Sequence, residues 1–177
     1  MNKENERVSK KISYLLRHGA DKEGLEMDEE GWVDCKELCS MVKITKTVLE
    51  DVVATNDKKR FAFSVDKKKI RASQGHTLKV DLKLKKTIPP DKLYHGTIWT
   101  VMSSIFKLGL IKMERTHVHL SADIKTATTV GSRRGTPTII EIDSAQMHKD
   151  GFEFFLSDNG VWLCDEVPPK YLKIYTE

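Results

Sequence analysis

Four groups of short segments combine arginine, histidine and glycine in a way that favours phosphate chemistry. They are LLRHG (15–19), IRASQGH (70–76), LYHGT (93–97) with HVHLS (117–121), and VGSRRG (130–135). The planar guanidinium of arginine binds phosphate through two parallel hydrogen bonds, and glycine lets a backbone approach a ligand closely. Each segment alone has a structural explanation, such as a cation at a helix C-terminus, which gains about 0.3–1 kcal/mol from the helix dipole. Their number and composition together indicate a site for a phosphate-bearing ligand.

The two histidines of HVHLS also suggest a metal site. In an extended strand the side chains of His117 and His119 point to the same face. No third ligand has a supporting pattern, and the i, i+4 pair Cys35 and Cys39 is followed by no second pair. With Cys164 the cysteines are odd in number, which is typical of reduced thiols rather than a disulfide framework. We therefore expect no metal.

Several enzyme classes are excluded because the motifs that carry their chemistry are missing from the sequence. There is no GxxxxGK[ST] loop and no GxGxxG, so neither a P-loop nor a dinucleotide-binding Rossmann site is supported. There is also no HExxH and no GxSxG elbow, and no cysteine lies in a recognisable nucleophile context. The familiar hydrolase templates therefore do not apply.

The first half of the chain predicts helices followed by a β-hairpin. Apolar residues at helical spacing predict a first helix that ends at Gly19, with Arg17 and His18 in its last turn. Asp34 and Thr45 are placed to cap two further helices. The period then changes to alternation in two strands separated by DKK, namely RFAFSV and KIRASQ. Helices followed by a basic hairpin are typical of a winged helix, a nucleic-acid-binding module.

A basic segment with two prolines separates this half from the next. Residues 79–92 read KVDLKLKKTIPPDK, and Pro89-Pro90 cannot continue a regular element, so we predict two domains, 1–88 and 89–177. In the second domain Thr97 is expected to cap a helix that Gly109 ends. Strands are predicted in HVHLS and TIIEID, and a strand-loop-strand in FEFFLSDNGVWL. The fold class predicted for the whole chain is α+β.

Composition limits the function classes further. The chain has 177 residues and a formal net charge of +4, and its cations crowd the region 58–86, which suggests a polyanionic partner. No run approaches the roughly 20 apolar residues that a membrane span needs, and the N-terminal MNKENERVSK carries no apolar stretch typical of a secretory signal. We expect an intracellular monomer that does not bind membranes, cytoplasmic or, in a eukaryotic host, nuclear.

Several motifs occur in an order and spacing that resemble one family, the RNA 2′-phosphotransferases, also called tRNA 2′-phosphotransferases. They are LLRHG, GWVDCKEL, TNDKKRFAFS, IRASQGH, LYHGT, HVHLSAD, VGSRRGTP and NGVWLCDEVP, and they extend over almost the whole chain. The resemblance implies an N-terminal winged-helix lobe that binds RNA. It also implies a C-terminal, ADP-ribosyltransferase-like lobe that binds NAD.

The activity implied by the resemblance is removal of an internal 2′-phosphate from RNA, with NAD consumed as acceptor and no metal. The 2′-phosphate first attacks C1″ of the nicotinamide ribose, which expels nicotinamide and leaves an ADP-ribosylated phosphate on the RNA. The ribose O2″ then attacks phosphorus, releasing 2′-hydroxyl RNA and ADP-ribose 1″,2″-cyclic phosphate. The expected substrate is a tRNA of the kind that splicing produces.

The resemblance also assigns roles to residues of the motifs. The catalytic residues would be cations that bind and polarise phosphate, with Arg133 preferred over its neighbour: Arg17, His18, Arg71 and Arg133. The RNA ligands would be Gln74, His76 and Arg134. The NAD ligands would be His95, Gly96, Thr97, His119 and Ser121, with Gly96 allowing close approach of the nicotinamide amide. His117 stays ambiguous between a neighbouring contact and structural support.

Three alternatives remain open at this point. One is an enzyme of the same fold that leaves ADP-ribose on a nucleic-acid phosphate and stops after the first step. Another is a non-catalytic winged-helix RNA-binding protein, which would bind RNA in a salt-dependent way without releasing nicotinamide. The last is a metallohydrolase built on His117 and His119, which a chelator would inactivate.

Overall fold

The computed structural model describes residues 3–176, which form two compact units with a mixed content of helix and strand. This confirms the α+β class. Within the described residues the boundary between the units falls between 83 and 84, whereas the sequence suggested a boundary after residue 88. Residues before the prolines belong to the second unit because Lys86 pairs with Phe155 in an antiparallel bridge and the Thr87 N–H donates to the Phe154 carbonyl at 2.8 Å. No helix within 3–176 is long and apolar enough to cross a membrane.

The first unit contains helices packed against a small antiparallel sheet of strand order β1-β3-β2. Its elements are α1 (Lys3–Tyr14), a π-helical turn (Leu15–Gly19), α2 (Ala20–Glu23), β1 (Val33–Asp34), α3 (Cys35–Val42), α4 (Lys46–Ala54), β2 (Phe61–Phe63) and β3 (Lys69–Ala72). The predicted hairpin is confirmed, with Ala62 opposite Arg71. The core beneath the sheet includes the fully buried Leu16, Leu38 and Ile70.

Both predicted caps of the first unit are confirmed. The Asp34 carboxylate accepts the backbone N–H groups of Lys36 at 2.7 Å and Glu37 at 3.1 Å, and the Thr45 hydroxyl accepts that of Val48 at 3.3 Å. These bonds satisfy donors that the first turn of a helix leaves without an intrahelical partner. Local sequence therefore fixes where α3 and α4 begin.

The prediction that the first helix ends at Gly19 is wrong. The chain stays helical through the π turn and α2. The helical segment ends at Gly24, whose left-handed φ of 72° suits glycine. Gly19 has a different function: a Cβ there would lie 2.5 Å from Cε1 of Tyr14, so glycine makes room for that ring. Arg17 and His18 therefore lie inside a widened helical turn rather than at a helix C-terminus.

The second unit is built around the long antiparallel pair β4 and β7. Its elements are β4 (Lys92–Ile98), a 3-10 turn (Trp99–Val101), α5 (Met102–Leu108), β5 (Leu110–Ile111), β6 (Val118–Leu120), α6 (Ile124–Gly131), β7 (Pro137–Asp143), α7 (Ser144–Lys149), β8 (Phe155–Leu156), β9 (Trp162–Cys164), β10 (Glu166–Val167), a 3-10 turn (Pro169–Tyr171) and β11 (Leu172–Ile174). Three separate ladders have strand orders β11-β7-β4, β6-β9-β8 and β10-β5. The predicted strands at HVHLS and TIIEID and the β8–β9 pair are confirmed.

Thr97 does not cap a helix, contrary to the prediction. It is buried in β4 opposite Thr138, and the strand continues to Ile98 before the 3-10 turn begins without a side-chain cap. The predicted end of α5 at Gly109 is confirmed. A Cβ at Gly109, where φ is 83°, would lie 2.3 Å from the carbonyl oxygen of Val167, so a larger residue does not fit. Tertiary pairing with β7 overrides the capping tendency of threonine.

Candidate functional site

The π turn of the first unit is attached to the loop that follows β3. The backbone N–H of Thr77 donates to the Arg17 carbonyl at 2.9 Å, and the Thr77 hydroxyl donates to the same oxygen at 3.4 Å. His18 Nδ1 lies 3.0 Å from that hydroxyl oxygen. In the tautomer in which the Thr77 hydroxyl donates to the carbonyl, Nδ1 of His18 is the donor in this contact. The Nε2 atom of His18 is then the nitrogen that can take up and release a proton.

The side chain of Arg17 packs against the same loop at Gly75. A Cβ at Gly75 would lie 3.6 Å from Arg17 Nε and 3.7 Å from its Cζ. The φ of Gly75 is 89°, a conformation that residues with a side chain rarely adopt. The backbone conformation therefore favours glycine here, and the Arg17 guanidinium packs against this turn at ordinary contact distance.

Arg71 is held by β3 and by contacts on several sides. Its Nη1 lies 3.5 Å from the carbonyl oxygens of Glu30 and Leu82 and 4.0 Å from the Glu30 carboxylate. Its Cζ lies 4.4 Å from the centre of the Trp32 ring, a cation–π distance, and only 14% of the side chain is exposed. A guanidinium fixed in this way is pre-organised for binding an anion.

His76 is the most buried member of this group. It has no exposed surface, and within residues 3–176 neither ring nitrogen has a hydrogen-bond partner. Burial, with the charges of Arg17, His18 and Arg71 nearby, lowers the pKa of His76 to about 4. His76 is therefore neutral at physiological pH. Gln74 lies half-buried on the same loop.

The structure thus brings four predicted site residues together in the first unit, and we call them the first cluster: Arg17, His18, Arg71 and His76. Two permanent cations and a titratable imidazole surround a neutral, buried imidazole. Such a group can bind an anion and donate hydrogen bonds to it, with one nitrogen available for proton transfer.

In the second unit, β4 and β6 meet at a two-residue bridge. Tyr94 and Ser121 exchange backbone hydrogen bonds of 2.9 and 2.7 Å, which places His95 next to His119. His95 Nδ1 donates to the His119 carbonyl at 3.0 Å, so the Nε2 atom of neutral His95 is an acceptor. Burial, with the charges of Arg134 and Arg115, lowers the pKa of His95 even though the carbonyl contact opposes this. His95 is therefore a neutral acceptor beside cations.

Arg115 is a site residue that the sequence reasoning missed. Its Nη1 donates to His119 Nδ1 at 2.8 Å, and since a guanidinium is always protonated, Nδ1 accepts and Nε2 carries the hydrogen. Desolvation and the charges of Arg134 and Arg133 lower the pKa of Arg115. The available signal was its position four residues before His119, but Arg115 lacks the glycine neighbours that marked the other arginines.

Arg133 and Arg134 lie in the exposed turn that follows α6. Their backbone N–H groups donate to Val130 at 3.4 Å and Gly131 at 3.1 Å. Arg134 acts electrostatically on both His95 and Arg115, whereas Arg133 acts on Arg115. We call the five residues of this unit the second cluster: His95, Arg115, His119, Arg133 and Arg134. The assignments of Arg133 to catalysis and of Arg134 to RNA binding stay predictions, and the charge that both arginines exert at Arg115 suggests a further one, that they bind an anion at this cluster.

Gly96 is required by packing within the second unit. A Cβ at Gly96 would lie 1.7 Å from the Ala127 carbonyl oxygen and 2.9 Å from the Gly131 nitrogen. A Cβ at Gly131 would lie 3.0 Å from the Thr97 carbonyl oxygen. These glycines let α6 lie directly against β4, and they bring the turn with Arg133 and Arg134 to that strand.

The two histidines of HVHLS have different surroundings. His117 precedes β6, its Nδ1 lies 3.1 Å from the Thr116 hydroxyl, and its ring packs edge-on to Phe155. His119 faces the permanent cation of Arg115, which disfavours a metal ion at the same nitrogen. Among residues 3–176 no group of three His, Cys, Asp or Glu side chains is arranged to hold a metal ion.

The three cysteines are free and buried, as predicted for reduced thiols. Burial raises the pKa of Cys35 to about 11 and that of Cys164 to about 12, and it also raises the pKa of Cys39. These thiols stay protonated near neutral pH, which argues against a nucleophilic role.

Comparison with known proteins gives a consistent result. A family model described as "RNA 2'-phosphotransferase, Tpt1 / KptA family" matches residues 3–166. A relative from Flavobacterium johnsoniae, named "Probable RNA 2'-phosphotransferase", is 53% identical over 171 residues, covering 94% of both chains. Relatives with the same name from Nostoc punctiforme and Burkholderia pseudomallei are 49% and 48% identical, each covering 94% of this chain and 95% and 94% of their own lengths.

Proposed function

This chain belongs to the RNA 2'-phosphotransferase, Tpt1 / KptA family of enzymes, which remove a 2′-phosphate from RNA, and we propose that it does so with NAD as the acceptor. The substrate is an internal 2′-phosphate of the kind left by tRNA splicing. The products are 2′-hydroxyl RNA, nicotinamide and ADP-ribose 1″,2″-cyclic phosphate. The observation that carries the proposal is the first cluster, where Arg17, His18 and Arg71 surround a neutral histidine.

The first cluster suits a phosphate that acts as nucleophile and later as the group transferred. A 2′-phosphate is already anionic, so it needs orientation and charge stabilisation rather than a strong base. Arg71 is held against the Trp32 ring and the Arg17 guanidinium packs against Gly75, so both are placed to bind its oxygens. His18, with Nδ1 directed to Thr77, can donate a proton from Nε2 to the leaving 2′-oxygen. Gln74 and the neutral His76 add uncharged hydrogen-bonding groups.

The order of elements in the first unit supports a winged-helix function in RNA binding. Helix α1 is followed by β1, helices α3 and α4, and the β2–β3 hairpin, and helices followed by a basic hairpin are typical of that module. The hairpin and the segments beside it carry many of the cations noted in the sequence. RNA would be drawn to this surface by its phosphates, with a dependence on salt.

The second cluster fits an anionic dinucleotide, and the second unit is proposed as an ADP-ribosyltransferase-like lobe. NAD supplies the ribose carbon that receives the phosphate. Arg115, Arg133 and Arg134 provide positive charge for its two phosphates, while His95 Nε2 accepts and His119 Nε2 donates a hydrogen bond. Gly96, Thr97 and Ser121 form the β4 and β6 backbone around these histidines.

The reaction can be tested with an RNA that carries one internal 2′-phosphate, incubated with the protein and NAD. We expect release of nicotinamide, formation of ADP-ribose 1″,2″-cyclic phosphate and a free 2′-hydroxyl. ADP-ribosylated RNA as the end product would instead indicate an enzyme that stops after the first step. RNA binding without nicotinamide release would contradict the NAD proposal.

The role of His18 can be separated from that of the arginines. His18→Asn retains a hydrogen-bonding side chain but removes the group that transfers a proton near neutral pH. We expect it to slow the second step and to accumulate ADP-ribosylated RNA. A variant with unchanged kinetics of both steps would contradict proton donation by His18.

A further inference from the structure

A cavity of about 310 Å³ opens within the first unit, beside the first cluster but extending beyond it. The residues that line it and matter here are Lys10, Ser13, Tyr14, Arg17, His18 and Arg60. Four of them, Lys10, Ser13, Tyr14 and Arg60, have no part in the function proposed above. The cavity combines cations, a hydroxyl and an aromatic ring, which are the groups that bind single-stranded nucleic acid.

Ser13 provides a hydrogen-bonding group that the protein does not use. Its Oγ is buried, and it has no hydrogen-bond partner within residues 3–176. A buried hydroxyl without a partner costs stability, and native structures contain few of them. Because this hydroxyl lines a cavity that also contains arginines, an anionic oxygen entering the cavity is a partner for it.

Tyr14 presents an aromatic ring at the same cavity. Tyr14 is 45% exposed. Its ring packs over Gly19, where a Cβ would lie only 2.5 Å from the Cε1 atom of Tyr14. The ring is therefore positioned by the helix itself, and its centre lies 6.4 Å from that of His18. A fixed, exposed ring beside a phosphate-binding histidine is suited to stacking on a nucleobase.

Arg60 adds a cation whose backbone is anchored. Its carbonyl accepts the N–H of Ser73 at 2.9 Å, and its N–H donates to the Asn56 side chain at 3.4 Å. The backbone of Arg60 is therefore held beside the loop that carries Gln74 and His76. It can bind a second phosphate while Arg17 binds the first.

We propose that this cavity binds the nucleotide next to the 2′-phosphate, with Arg60 and Ser13 on its phosphodiester and Tyr14 stacked on its base. The inference rests on the proposed function, since it names the part of the RNA that the enzyme recognises. With this site the enzyme recognises single-stranded RNA on one side of the modified nucleotide. Recognition of the base by stacking carries little sequence preference, because every base offers a planar face.

The test compares RNAs that keep the 2′-phosphate and lack one flanking base. Each oligonucleotide carries one internal 2′-phosphate with either natural neighbours or an abasic residue on its 5′ or 3′ side. For Tyr14→Ala we expect about tenfold weaker binding of the natural RNA and little change for one of the abasic RNAs. Tyr14→Phe should bind RNA as the wild type does. Arg60→Ala should weaken binding of the natural and the abasic RNAs equally. Lys36→Ala on α3 is the control for loss of a positive charge.

Ser13→Ala gives a readout that a structural role would not produce. Removing a buried hydroxyl without a partner should raise the thermal midpoint of the RNA-free protein and weaken RNA binding severalfold. Ser40→Ala, on the exposed face of α3, should not change RNA binding.

If Tyr14→Ala affects natural and abasic RNAs alike while the wild type removes the phosphate, the inference is wrong and the proposed function stands. A wild-type protein that removes no 2′-phosphate contradicts both.

Discussion

The two cationic clusters differ in how their charges are held. In the first, Arg71 is 14% exposed and packed on Trp32, and the Arg17 guanidinium lies along Gly75. In the second, Arg133 and Arg134 are exposed. The groups held in place there are His95 and His119, whose tautomers are set by their hydrogen bonds. Pre-organised cations lose little conformational entropy on binding, whereas exposed arginines must be ordered by the ligand. The first cluster is therefore suited to stabilising a transition state, and the second to binding and orienting a larger anion.

The largest effect should come from removing a pre-organised cation. We expect Arg71→Ala to lower kcat roughly 100- to 1000-fold, as for loss of a group that stabilises charge in a transition state. Arg71→Lys should recover little, since an ammonium cannot keep both the stacking on Trp32 and the forked geometry. Single-turnover formation of ADP-ribose 1″,2″-cyclic phosphate measures this. An Arg71→Ala enzyme within threefold of the wild type would remove the distinction between the clusters.

The packing that supports the second cluster can be tested through Gly96. Gly96→Ala would place a Cβ 1.7 Å from the Ala127 carbonyl oxygen, so we expect a loss of more than about 3 kcal/mol in the free energy of unfolding. Gly160→Ala is the matched control in the same unit. A Cβ at Gly160 would have no neighbour within 4 Å, so the substitution should cost only the strain of a φ of 77°, about 1 kcal/mol. Equal losses in denaturant titrations would show that α6 does not depend on close packing against β4.

Burial of His76 makes the first unit sensitive to acid. The folded protein protonates His76 at a pKa of about 4 and the unfolded chain near 6.5, so between these values the unfolded state binds more protons. The contribution is complete above pH 6.5 and is lost as pH falls to 4, by up to about 3 kcal/mol. Urea denaturation at several pH values should show this slope in the wild type. His76→Phe, which cannot titrate, should be flatter over the same window, and parallel curves would contradict the neutral state of His76.

The smallest effect concerns the two exposed arginines. Arg134 acts on both His95 and Arg115, so we expect Arg134→Ala to raise the KM for NAD about tenfold, or about 1.4 kcal/mol, and Arg133→Ala to raise it about threefold. Lys125→Ala, an exposed cation on α6, should have no effect. The reverse order for the two arginines would restore Arg133 as the principal cation of the turn.

The sequence predicts well those features that depend on nearby residues. The caps at Asp34 and Thr45 and the ends of the hairpin follow from chemistry within a few positions. The π turn was missed because it is attached to Thr77, which is distant in the sequence. Arg115 was missed because its function depends on its contact with His119 and is not visible in composition.

Glycine was the residue most easily misinterpreted. Gly19 suggested a helix end but makes room for Tyr14, and Gly96 suggested ligand approach but contacts the backbone of α6. Both interpretations used the correct physical property, the absence of a side chain. The neighbour that exploits this property is known only from tertiary structure, so a sequence alone cannot choose among the possible reasons for a glycine.

The π turn at Leu15–Gly19 also constrains how the gene can change. Such a turn contains one residue more than the α-helical turn it replaces, so it shifts the helix faces by about 100°. Ile12 before it and Ala20 after it are both buried in the present register. Loss of a single codon within this stretch would turn one of these faces to solvent, and no point mutation could restore it. Under selection for activity, one-residue deletions in this stretch should be rejected even where the deleted residue is not Arg17 or His18.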